Sequence, residues 1–306
     1  MRGTDSGLDG ILAIDKPAGW TSHDVVAKAR RILGQRRIGH TGTLDPMATG
    51  LLVLCLGQAT RLVEYMTAHD KRYIGEVTLG RTTTTDDAEG ETLEERAVPP
   101  LSPATVAEAA SSFRGQVSQR PPAFSALKVA GQRAYDLARA GRAPGLAARP
   151  VTIERLDVAI LGPAVLGLDV TCSAGTYVRS LARDIGEALG CGGHLSALRR
   201  LSAGGLSVES AVSLEELQRV ADEGRLDDFL LPADEGIASM EAAILSGEAA
   251  KVLANGGRWM TPASSVMAAT TARTYDTSGA FVGVASVSSS GEITPLKVLA
   301  RQKSAN

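Results

Sequence analysis

The sequence predicts an α+β fold with a mixed sheet, because strand-like and helix-like apolar patterns alternate through its first two-thirds. Short apolar runs predict five strands, at residues 11–14, 51–56, 73–79, 151–160 and 165–171. Apolar residues recur at helical spacing in three other segments. At 306 residues the chain exceeds one typical domain, so we expect one large domain followed by a small one.

The three predicted helices have recognisable start or stop signals. Thr21 or Ser22 caps the first helix, and Gly34 ends it. Ser102–Pro103 begins the second, since proline is favoured at the first helical position. The third, at residues 179–189, places its large apolar residues on one face. These patterns leave the strand order open.

The last third of the chain has a different character. Ser213 opens a short helix in an acidic stretch, and we interpret residues 207–235 as a linker. We predict a further helix and then a hairpin, at residues 241–253 and at residues 280–287 and 295–299. The segment 261–279 is dense in Thr, Ser and Ala, and we expect it to be disordered.

Charge is unevenly distributed, although the formal net charge is only −2. Residues 99–150 hold seven Lys/Arg against two Asp/Glu, whereas residues 206–306 hold eight against thirteen. The basic stretch is the better candidate for binding RNA. Its cations are Arg114, Arg120, Lys128, Arg133, Arg139, Arg142 and Arg149, and the candidates that extend this set are Arg30, Arg31, Arg36, Arg37, Arg199 and Arg200. For any single one, an ordinary solvated position is the simpler interpretation.

The three cysteines, Cys55, Cys172 and Cys191, are widely spaced and form no Cys-x-x-Cys pair. They indicate neither a disulfide framework nor a zinc site, and we expect no metal. No signal peptide, membrane-spanning stretch or lipidation signal is recognisable, so the cytoplasm is the expected compartment.

Residues 39–61 place one carboxylate, Asp45, in a glycine-rich turn ahead of an apolar strand. Pro46 biases Asp45 toward an extended conformation, and His40 lies five residues before Asp45. The run lacks a Gly-Lys-Ser/Thr ending and a Gly-x-Gly-x-x-Gly pattern, which excludes the P-loop and the dinucleotide fingerprint. Two interpretations remain: a chemical site on a stiff loop, or an ordinary Asp-Pro turn beside an incidental histidine.

This run and five further segments, in the same order, resemble the TruB family of tRNA pseudouridine synthases. The further segments are residues 15–23, 71–73, 121–128, 175–180 and 190–201. The matches lie between residues 11 and 206, and the resemblance thins after about residue 207. It implies the pseudouridine-synthase fold, a mixed, largely antiparallel sheet with flanking helices and a central RNA cleft. A small C-terminal β-rich PUA-like domain is implied as well.

The resemblance also implies a domain organisation. Residues 1–206 would form the catalytic domain, residues 207–235 a helical linker, and residues 236–306 the PUA-like domain. Within the first, residues 121–150 match an insertion that closes over the T arm of tRNA, so we expect it to become ordered on binding. The sequence departs from the family pattern at residues 143–148, where acidic residues are expected and none occurs.

By this resemblance, Asp45 is the catalytic residue, acting as a nucleophile on the target nucleotide or assisting a glycal intermediate. Arg179 matches the arginine that pairs with it and would keep the carboxylate ionised and oriented. The target uridine is stacked in a folded arm, so it must be flipped out first. His40 matches the residue that enters the T loop and helps to hold the flipped state.

Four other residues match substrate-binding positions. Tyr73 and Tyr177 would pack on the extruded base, which is worth about 1 to 3 kcal/mol per base. Tyr73 is also a candidate acceptor for the C5 proton, although an unperturbed tyrosine is a poor base at neutral pH. Without the motif, core packing is the simpler interpretation of both tyrosines. Leu198 matches an apolar contact to uracil, and Lys16 a substrate-facing or structural position at the cleft floor.

We therefore predict an isomerase that converts uridine 55 in the T loop of tRNA to pseudouridine without a cofactor. Its partner would be the T arm, and we expect a monomer with no obligate protein partner. A noncatalytic tRNA-binding or folding protein is one alternative, against which the intact Asp45, Tyr73, Tyr177 and Arg179 argue. A guide-dependent pseudouridine synthase is another, which the presence of the 121–150 insertion disfavours.

Overall fold

The computed structural model of the chain describes residues 7–125, 127–129, 131–142, 145–261 and 270–299. The strands among these residues are β1 (Gly10–Lys16), β2 (Ile38–His40), β3 (Thr49–Leu56), β4 (Lys71–Leu79), β5 (Arg81–Thr83), β6 (Thr92–Glu95), β7 (Gly115–Gln119), β8 (Lys128–Val129), β9 (Gln132–Arg133), β10 (Arg149–Gly162), β11 (Val165–Cys172), β12 (Gly193–Ala203), β13 (Leu206–Ser207), β14 (Ala242–Leu245), β15 (Trp259–Met260), β16 (Thr270–Asp276), β17 (Phe281–Val287) and β18 (Glu292–Val298). The α-helices are α1 (Ser22–Leu33), α2 (Val63–Thr67), α3 (Pro103–Ser111), α4 (Ala134–Arg139), α5 (Val178–Ala188), α6 (Leu214–Asp222) and α7 (Gly247–Ala254).

The main sheet is mixed, as the sequence patterns predicted, and largely antiparallel, as the family resemblance implied. Its strand order is β1-β3-β12-β4-β11-β10-β7, with β2 beside β3 and β13 beside β12. Among the described strands of this sheet, only β3 and β12 run parallel, and they pair only at Thr49 and Gly50 with Arg199 and Arg200. The central strand β12 was not predicted as a strand, although its residues form one of the family segments.

Helices α1, α3, α5 and α6 enclose the main hydrophobic core against one face of this sheet. The core includes Val25 of α1, Val106 of α3, Ile185 of α5 and Leu217 of α6, all of them fully or almost fully buried. The acidic region after residue 206 therefore contributes a core helix. No helix in the described part of the chain is long and apolar enough to cross a bilayer.

The helix boundaries confirm the capping signals in the sequence. The Thr21 hydroxyl accepts a hydrogen bond from the Asp24 amide at the start of α1, and Gly34 ends that helix with φ of +62°. Ser102 caps α3 in the same manner, with Pro103 in its first turn. Ser213 caps α6. These ends were predictable because a cap depends on a few adjacent residues.

The C-terminal region forms a second sheet with the order β14-β16-β17-β18-β15. The predicted hairpin is present as β17 and β18. The predicted helix over residues 241–253 is wrong in its first half, because residues 242–245 pair in parallel with β16 and Ser246 then caps α7. The disorder expected over residues 261–279 is also wrong for β16, while residues 262–269 lie outside the described residues. The predicted domain boundaries stay a prediction.

The second sheet packs behind the main one. Ile11 of β1 and Val53 of β3 point away from the helices and share a second core with Ile237 and Val284. This packing covers the other face of β1 and β3. Strand β3, which follows the loop that carries Asp45, is consequently buried on both sides, which explains its continuous apolar sequence.

Replacement of Gly50 by alanine is expected to destabilise the protein strongly. Gly50 has φ of +95°, and a Cβ atom there would overlap the backbone of Arg200 on β12. We expect Gly50→Ala to lower the free energy of unfolding by at least about 3 kcal/mol. Urea denaturation followed by circular dichroism measures this change.

Gly34→Ala provides the matched control. Gly34 also has a positive φ, of +62°, but no atom lies within 4 Å of the position of its missing Cβ. Only the conformational cost of about 1 kcal/mol is expected there. Equal losses from both variants would contradict the conclusion that the approach of β3 to β12 requires a glycine.

Candidate active site

Asp45 lies in the loop formed by residues 41–48, which connects β2 to β3. The Ser22 hydroxyl accepts a hydrogen bond from the Leu44 amide at 2.8 Å and donates one to the Leu44 carbonyl at 3.2 Å. The Ala48 amide donates to the Asp45 carbonyl at 3.1 Å. Leu44 and Ala48 are buried, whereas the Asp45 side chain is 34% exposed. The loop therefore presents its carboxylate on a fixed backbone.

Lys16 supports this loop from beneath. Its ammonium donates to the carbonyls of Pro17 at 2.9 Å, Trp20 at 2.6 Å and Pro46 at 3.1 Å. The residue is 0% exposed, and burial lowers its pKa while the Asp45 carboxylate acts in the opposite direction. Its three hydrogen bonds all go to backbone carbonyls, which favours the structural one of the two interpretations that the sequence allowed for Lys16.

Arg179 faces Asp45 from the first turn of α5. Its Nη2 atom lies 3.1 Å from Oδ1 of Asp45, and its Nε atom lies 3.0 Å from Oδ2. The Arg179 side chain is almost fully buried. Both carboxylate oxygens thus face one guanidinium, an arrangement that fixes the orientation of the carboxylate. The pair connects two segments that lie 134 residues apart in the sequence.

A second carboxylate, Asp87, holds Arg179 from the other side. Its Oδ2 atom lies 3.4 Å from Nη1 of Arg179, and the residue is buried. The same guanidinium donates to the carbonyls of Thr85 at 2.8 Å and Phe124 at 3.0 Å. Sequence reasoning missed Asp87, because it follows a run of threonines with no chemical motif. One arginine therefore lies between two carboxylates and two carbonyls.

Tyr73 and Arg200 lie opposite each other on β4 and β12. Arg200 is 1% exposed and donates from Nε to the Leu51 carbonyl at 2.6 Å and from Nη2 to the Gly42 carbonyl at 3.1 Å. As a candidate extension of the basic RNA-binding stretch it was wrong, because it is buried and its guanidinium binds the backbone around the Asp45 loop. Burial raises the pKa of Tyr73, while the adjacent Arg200 acts in the opposite direction.

Tyr177 occupies the N-cap position of α5, where the side chain of Gln119 holds its backbone. Oε1 of Gln119 accepts from the Tyr177 amide at 2.8 Å, and Nε2 donates to the Tyr177 carbonyl at 3.1 Å. Ser180 and Arg183 of α5 both donate to the Arg120 carbonyl, at 2.9 and 3.0 Å. Tyr177 is half-buried, and this burial raises the pKa of its phenol.

Leu198 lies on β12 opposite Gly75 of β4 and is buried. It lines a cavity of about 570 Å³ together with Met47, which follows Asp45 by two residues. Ile74 of β4, whose side chain is exposed, also lines this cavity. Leu198 and Met47 therefore line the same cavity.

His40 ends β2 immediately before the Asp45 loop. Burial lowers its pKa, and the neighbouring charges of His23 and Arg200 act in the same direction. The rings of His40 and His23 meet edge to face, with centroids 6.5 Å apart. Among the described residues, Nδ1 of His40 has no hydrogen-bond partner. His40 is thus a neutral, partly buried imidazole with an uncommitted polar atom.

The structure brings four of the predicted residues, Lys16, Tyr73, Tyr177 and Arg179, together around the Asp45 carboxylate, whereas His40 and Leu198 lie on strands β2 and β12. Asp45 contacts Arg179 directly, and its charge acts on the pKa of Lys16, Tyr73 and Tyr177. A carboxylate held in this manner, beside tyrosines and below a partly open surface, is suited to covalent or electrostatic catalysis on a substrate that inserts between them.

Comparison with known families gives two matches that together cover most of the chain. Residues 30–178 match the family described as TruB family pseudouridylate synthase (N terminal domain). Residues 179–238 match the tRNA pseudouridylate synthase B C-terminal domain. The boundary between the two matches falls between Val178 and Arg179, within the first turn of α5.

Individual relatives are similar over long spans. The chain is 42% identical over 295 residues to tRNA pseudouridine synthase B of Pseudomonas aeruginosa (strain UCBPP-PA14), covering 95% of this chain and 96% of that protein. It is 52% identical over 217 residues to the protein of the same name from Thermobifida fusca (strain YX), covering 68% and 74%. It is 50% identical over 216 residues to that of Arthrobacter sp. (strain FB24), covering 69% and 71%.

Solved structures support the fold. A chain of the H/ACA RNP bound to a substrate RNA containing 2′-deoxyuridine matches with a TM-score of 0.75 at 20% identity, covering 97% of this chain and 87% of that chain. A chain of the archaeal box H/ACA sRNP Nop10–Cbf5 complex matches with a TM-score of 0.74 at 21% identity, covering 97% and 88%. Both similarities include the C-terminal β-rich region, because nearly the whole chain is covered.

The environment of His40 predicts a low imidazole pKa. Folding favours the neutral ring. As the pH falls below 6.5, the unfolded chain therefore takes up a proton before the folded protein does. The free energy of unfolding decreases over this range, until the pH has fallen through the lowered folded pKa of His40. In NMR titrations we expect His40 to titrate below 6.5. His23→Ala should raise this pKa, yet leave it below 6.5, because burial is the larger cause.

His69→Ala serves as the control for this titration. His69 is absent from the groups that act on His40, so its removal should leave the pKa of His40 unchanged. A His40 ring that titrates at or above 6.5 in the unaltered protein would contradict the buried, neutral state.

Proposed function

This chain belongs to the TruB family of pseudouridylate synthases, and from that premise we propose that it converts uridine 55 in the T loop of tRNA to pseudouridine. The observation that carries this proposal is the Asp45 carboxylate held by Arg179 on an anchored loop. Identity of 42% over 95% of the chain to a tRNA pseudouridine synthase B supports tRNA as the substrate. The reaction is an isomerisation, so the enzyme is an isomerase.

The chemistry requires a nucleophile and a closed pocket for a free base. The glycosidic bond between N1 and C1′ breaks, the uracil turns, and a bond forms between C5 and C1′. The proton lost from C5 is balanced by the proton gained at N1, so atoms and electrons balance without a co-reactant. Asp45 either attacks the nucleotide or assists a glycal intermediate, and both routes need an ionised carboxylate at a fixed position.

Arg179 and Lys16 position the Asp45 carboxylate for this step. Arg179 orients the carboxylate, while Asp87 restrains Arg179 from the other side. Lys16 holds the carbonyl of Pro46, the residue after Asp45. Because these groups are already in place, little reorganisation is needed when the nucleotide arrives.

The target uridine reaches Asp45 only after it leaves the base stack. His40 enters the T loop in this proposal, and its neutral ring supports stacking because an uncharged imidazole is less costly to desolvate. Tyr73 and Tyr177 pack on the extruded base, and Leu198 provides an apolar contact. Both tyrosines lie close enough to Asp45 for its charge to act on them.

The insertion at residues 121–150 binds the T arm in this proposal. Its base is attached to the active site, because the Phe124 carbonyl accepts a hydrogen bond from Arg179. We infer further that the protein acts as a monomer, without an obligate protein partner, and that it works in the cytoplasm, where its tRNA substrate is found. Light scattering of the purified chain, alone and with tRNA, tests the monomeric state.

Asp45→Asn is expected to abolish pseudouridine formation, because an amide is neither a nucleophile of this kind nor a partner for the Arg179 charge. The expected loss is at least about 1,000-fold in single-turnover rate. The measurement is pseudouridine mapping, by chemical labelling and primer extension, on an unmodified T-arm hairpin and on full-length tRNA without added guide RNA.

Asp169→Asn is the matched control, because Asp169 also pairs with an arginine, Arg72, at 2.7 Å. It should keep wild-type activity. Product from Asp45→Asn at the wild-type rate would remove Asp45 from the mechanism. Binding of RNA by the wild type without any product would favour the noncatalytic tRNA-binding alternative, and product only with an added guide would favour a guide-dependent enzyme.

Tyr73→Phe separates packing from proton transfer. Burial raises the pKa of Tyr73, so the phenol stays protonated at neutral pH and we assign it stacking rather than the role of base. The variant should retain turnover within about tenfold of the wild type, because its ring is intact. A loss of about 1,000-fold with unchanged RNA affinity would instead restore Tyr73 as the acceptor of the C5 proton.

A further inference from the structure

Trp20 lies at the entrance to α1 with 37% of its surface exposed. It lines a surface groove of about 300 Å³ together with Gly19, Asp24, Ala27, Lys28 and Arg31, which we call the Trp20 groove. An exposed indole beside a lysine and an arginine offers a flat surface for stacking and two positive charges. These are the elements that sequence-independent RNA contacts use.

The Trp20 groove adjoins the loop that carries Asp45. The Gly19 amide donates to the Pro46 carbonyl at 2.8 Å, so the groove and the loop share a hydrogen bond. His23, in the first turn of α1, meets His40 edge to face. His23 is exposed and precedes Ala27 of the groove by one helical turn, so the groove lies one turn along α1 from the residue that contacts His40.

The charge of this surface is complementary to RNA. Residues 22–37 contain five cations, Lys28, Arg30, Arg31, Arg36 and Arg37, and a single carboxylate, Asp24. Asp24 is already engaged, because its Oδ2 accepts from the Thr21 amide at 3.0 Å and the Thr21 hydroxyl at 2.6 Å. Glu215 approaches Lys28 from α6, yet the cations still outnumber the carboxylates along α1 and the turn after it.

We propose that the Trp20 groove is a second RNA-contact site, in which Trp20 stacks on a base and Lys28 and Arg31 bind phosphates of the tRNA beside the T loop. The proposal rests on the proposed function, because the tRNA that occupies the groove is the one whose T loop lies at Asp45. It places RNA on α1 as well as on the basic 121–150 insertion. The tRNA would then be held on two sides of Asp45.

Fluorescence tests the stacking part directly. The chain contains two tryptophans, Trp20 and Trp259, so Trp259→Phe leaves Trp20 as the reporter. Saturation with unmodified tRNA should quench the emission of Trp20 and protect it from acrylamide, at the same concentrations at which filter binding detects the complex. Unchanged emission and unchanged acrylamide quenching at saturation would overturn the proposal.

Charge removal tests the phosphate contacts. Lys28→Ala/Arg31→Ala should weaken tRNA binding about tenfold at 0.1 M salt and reduce the slope of log affinity against log salt by about 1.5 to 2, because two phosphate contacts are lost. Arg219→Ala/Arg225→Ala removes the same charge from exposed ion pairs at α6, and its affinity should stay within about twofold of the wild type. Equal salt slopes in wild type and groove variant would overturn the proposal.

Pseudouridine formation by the wild type is measured on the same tRNA preparation. This measurement separates a failure of the groove inference from a failure of the proposed function. If the wild type forms product while the groove variant binds tRNA with unaltered affinity and salt slope, the groove inference fails and the proposed function stands. If the wild type binds tRNA, quenches Trp20 and forms no product, the proposed activity fails and the RNA contact stands.

Discussion

Three buried cations hold the backbone around Asp45, and the geometry of the site depends on them. Lys16 and Arg200 donate to the Pro46 and Gly42 carbonyls of the loop, and Arg179 binds the Asp45 carboxylate. A buried cation without acceptors is costly, whereas Lys16 and Arg200 satisfy carbonyl groups of the loop, and Arg179 is paired with its carboxylate. The loop is therefore held in one conformation by the contacts of these three buried cations, rather than by its own sequence.

The order of the strands explains why residues far apart in the sequence surround this loop. Strand β12 lies between β3 and β4, which brings Leu198 and Arg200 next to Tyr73. The parallel contact between β3 and β12 extends over only two residue pairs, at the point where the loop enters β3. The sheet thus changes from antiparallel to parallel pairing where the Asp45 loop enters β3. This irregularity leaves room for the buried side chains that hold the loop.

Local signals in the sequence were sufficient for much of this fold. Caps located the ends of α1 and α3, and apolar runs located strands such as β3, because both depend on adjacent residues. Residues 242–245 were misassigned as helix, because their strand state comes from pairing with β16 about thirty residues later. Asp87 and Arg200 were missed or misplaced for the same reason: their roles arise from contacts across the fold, which no local pattern records.

The bonds between Gln119 and Tyr177 have a mechanical consequence. Gln119 ends β7, directly before the insertion, and it grips both backbone polar groups of the residue that caps α5. The carbonyl of Arg120 is held by the same helix, whose first turn carries Arg179. A displacement of the insertion at its base must therefore either move α5 with it or break these hydrogen bonds. The base of the insertion and the Asp45–Arg179 pair are thus connected through α5, so a displacement at this base is transmitted to the Asp45 carboxylate.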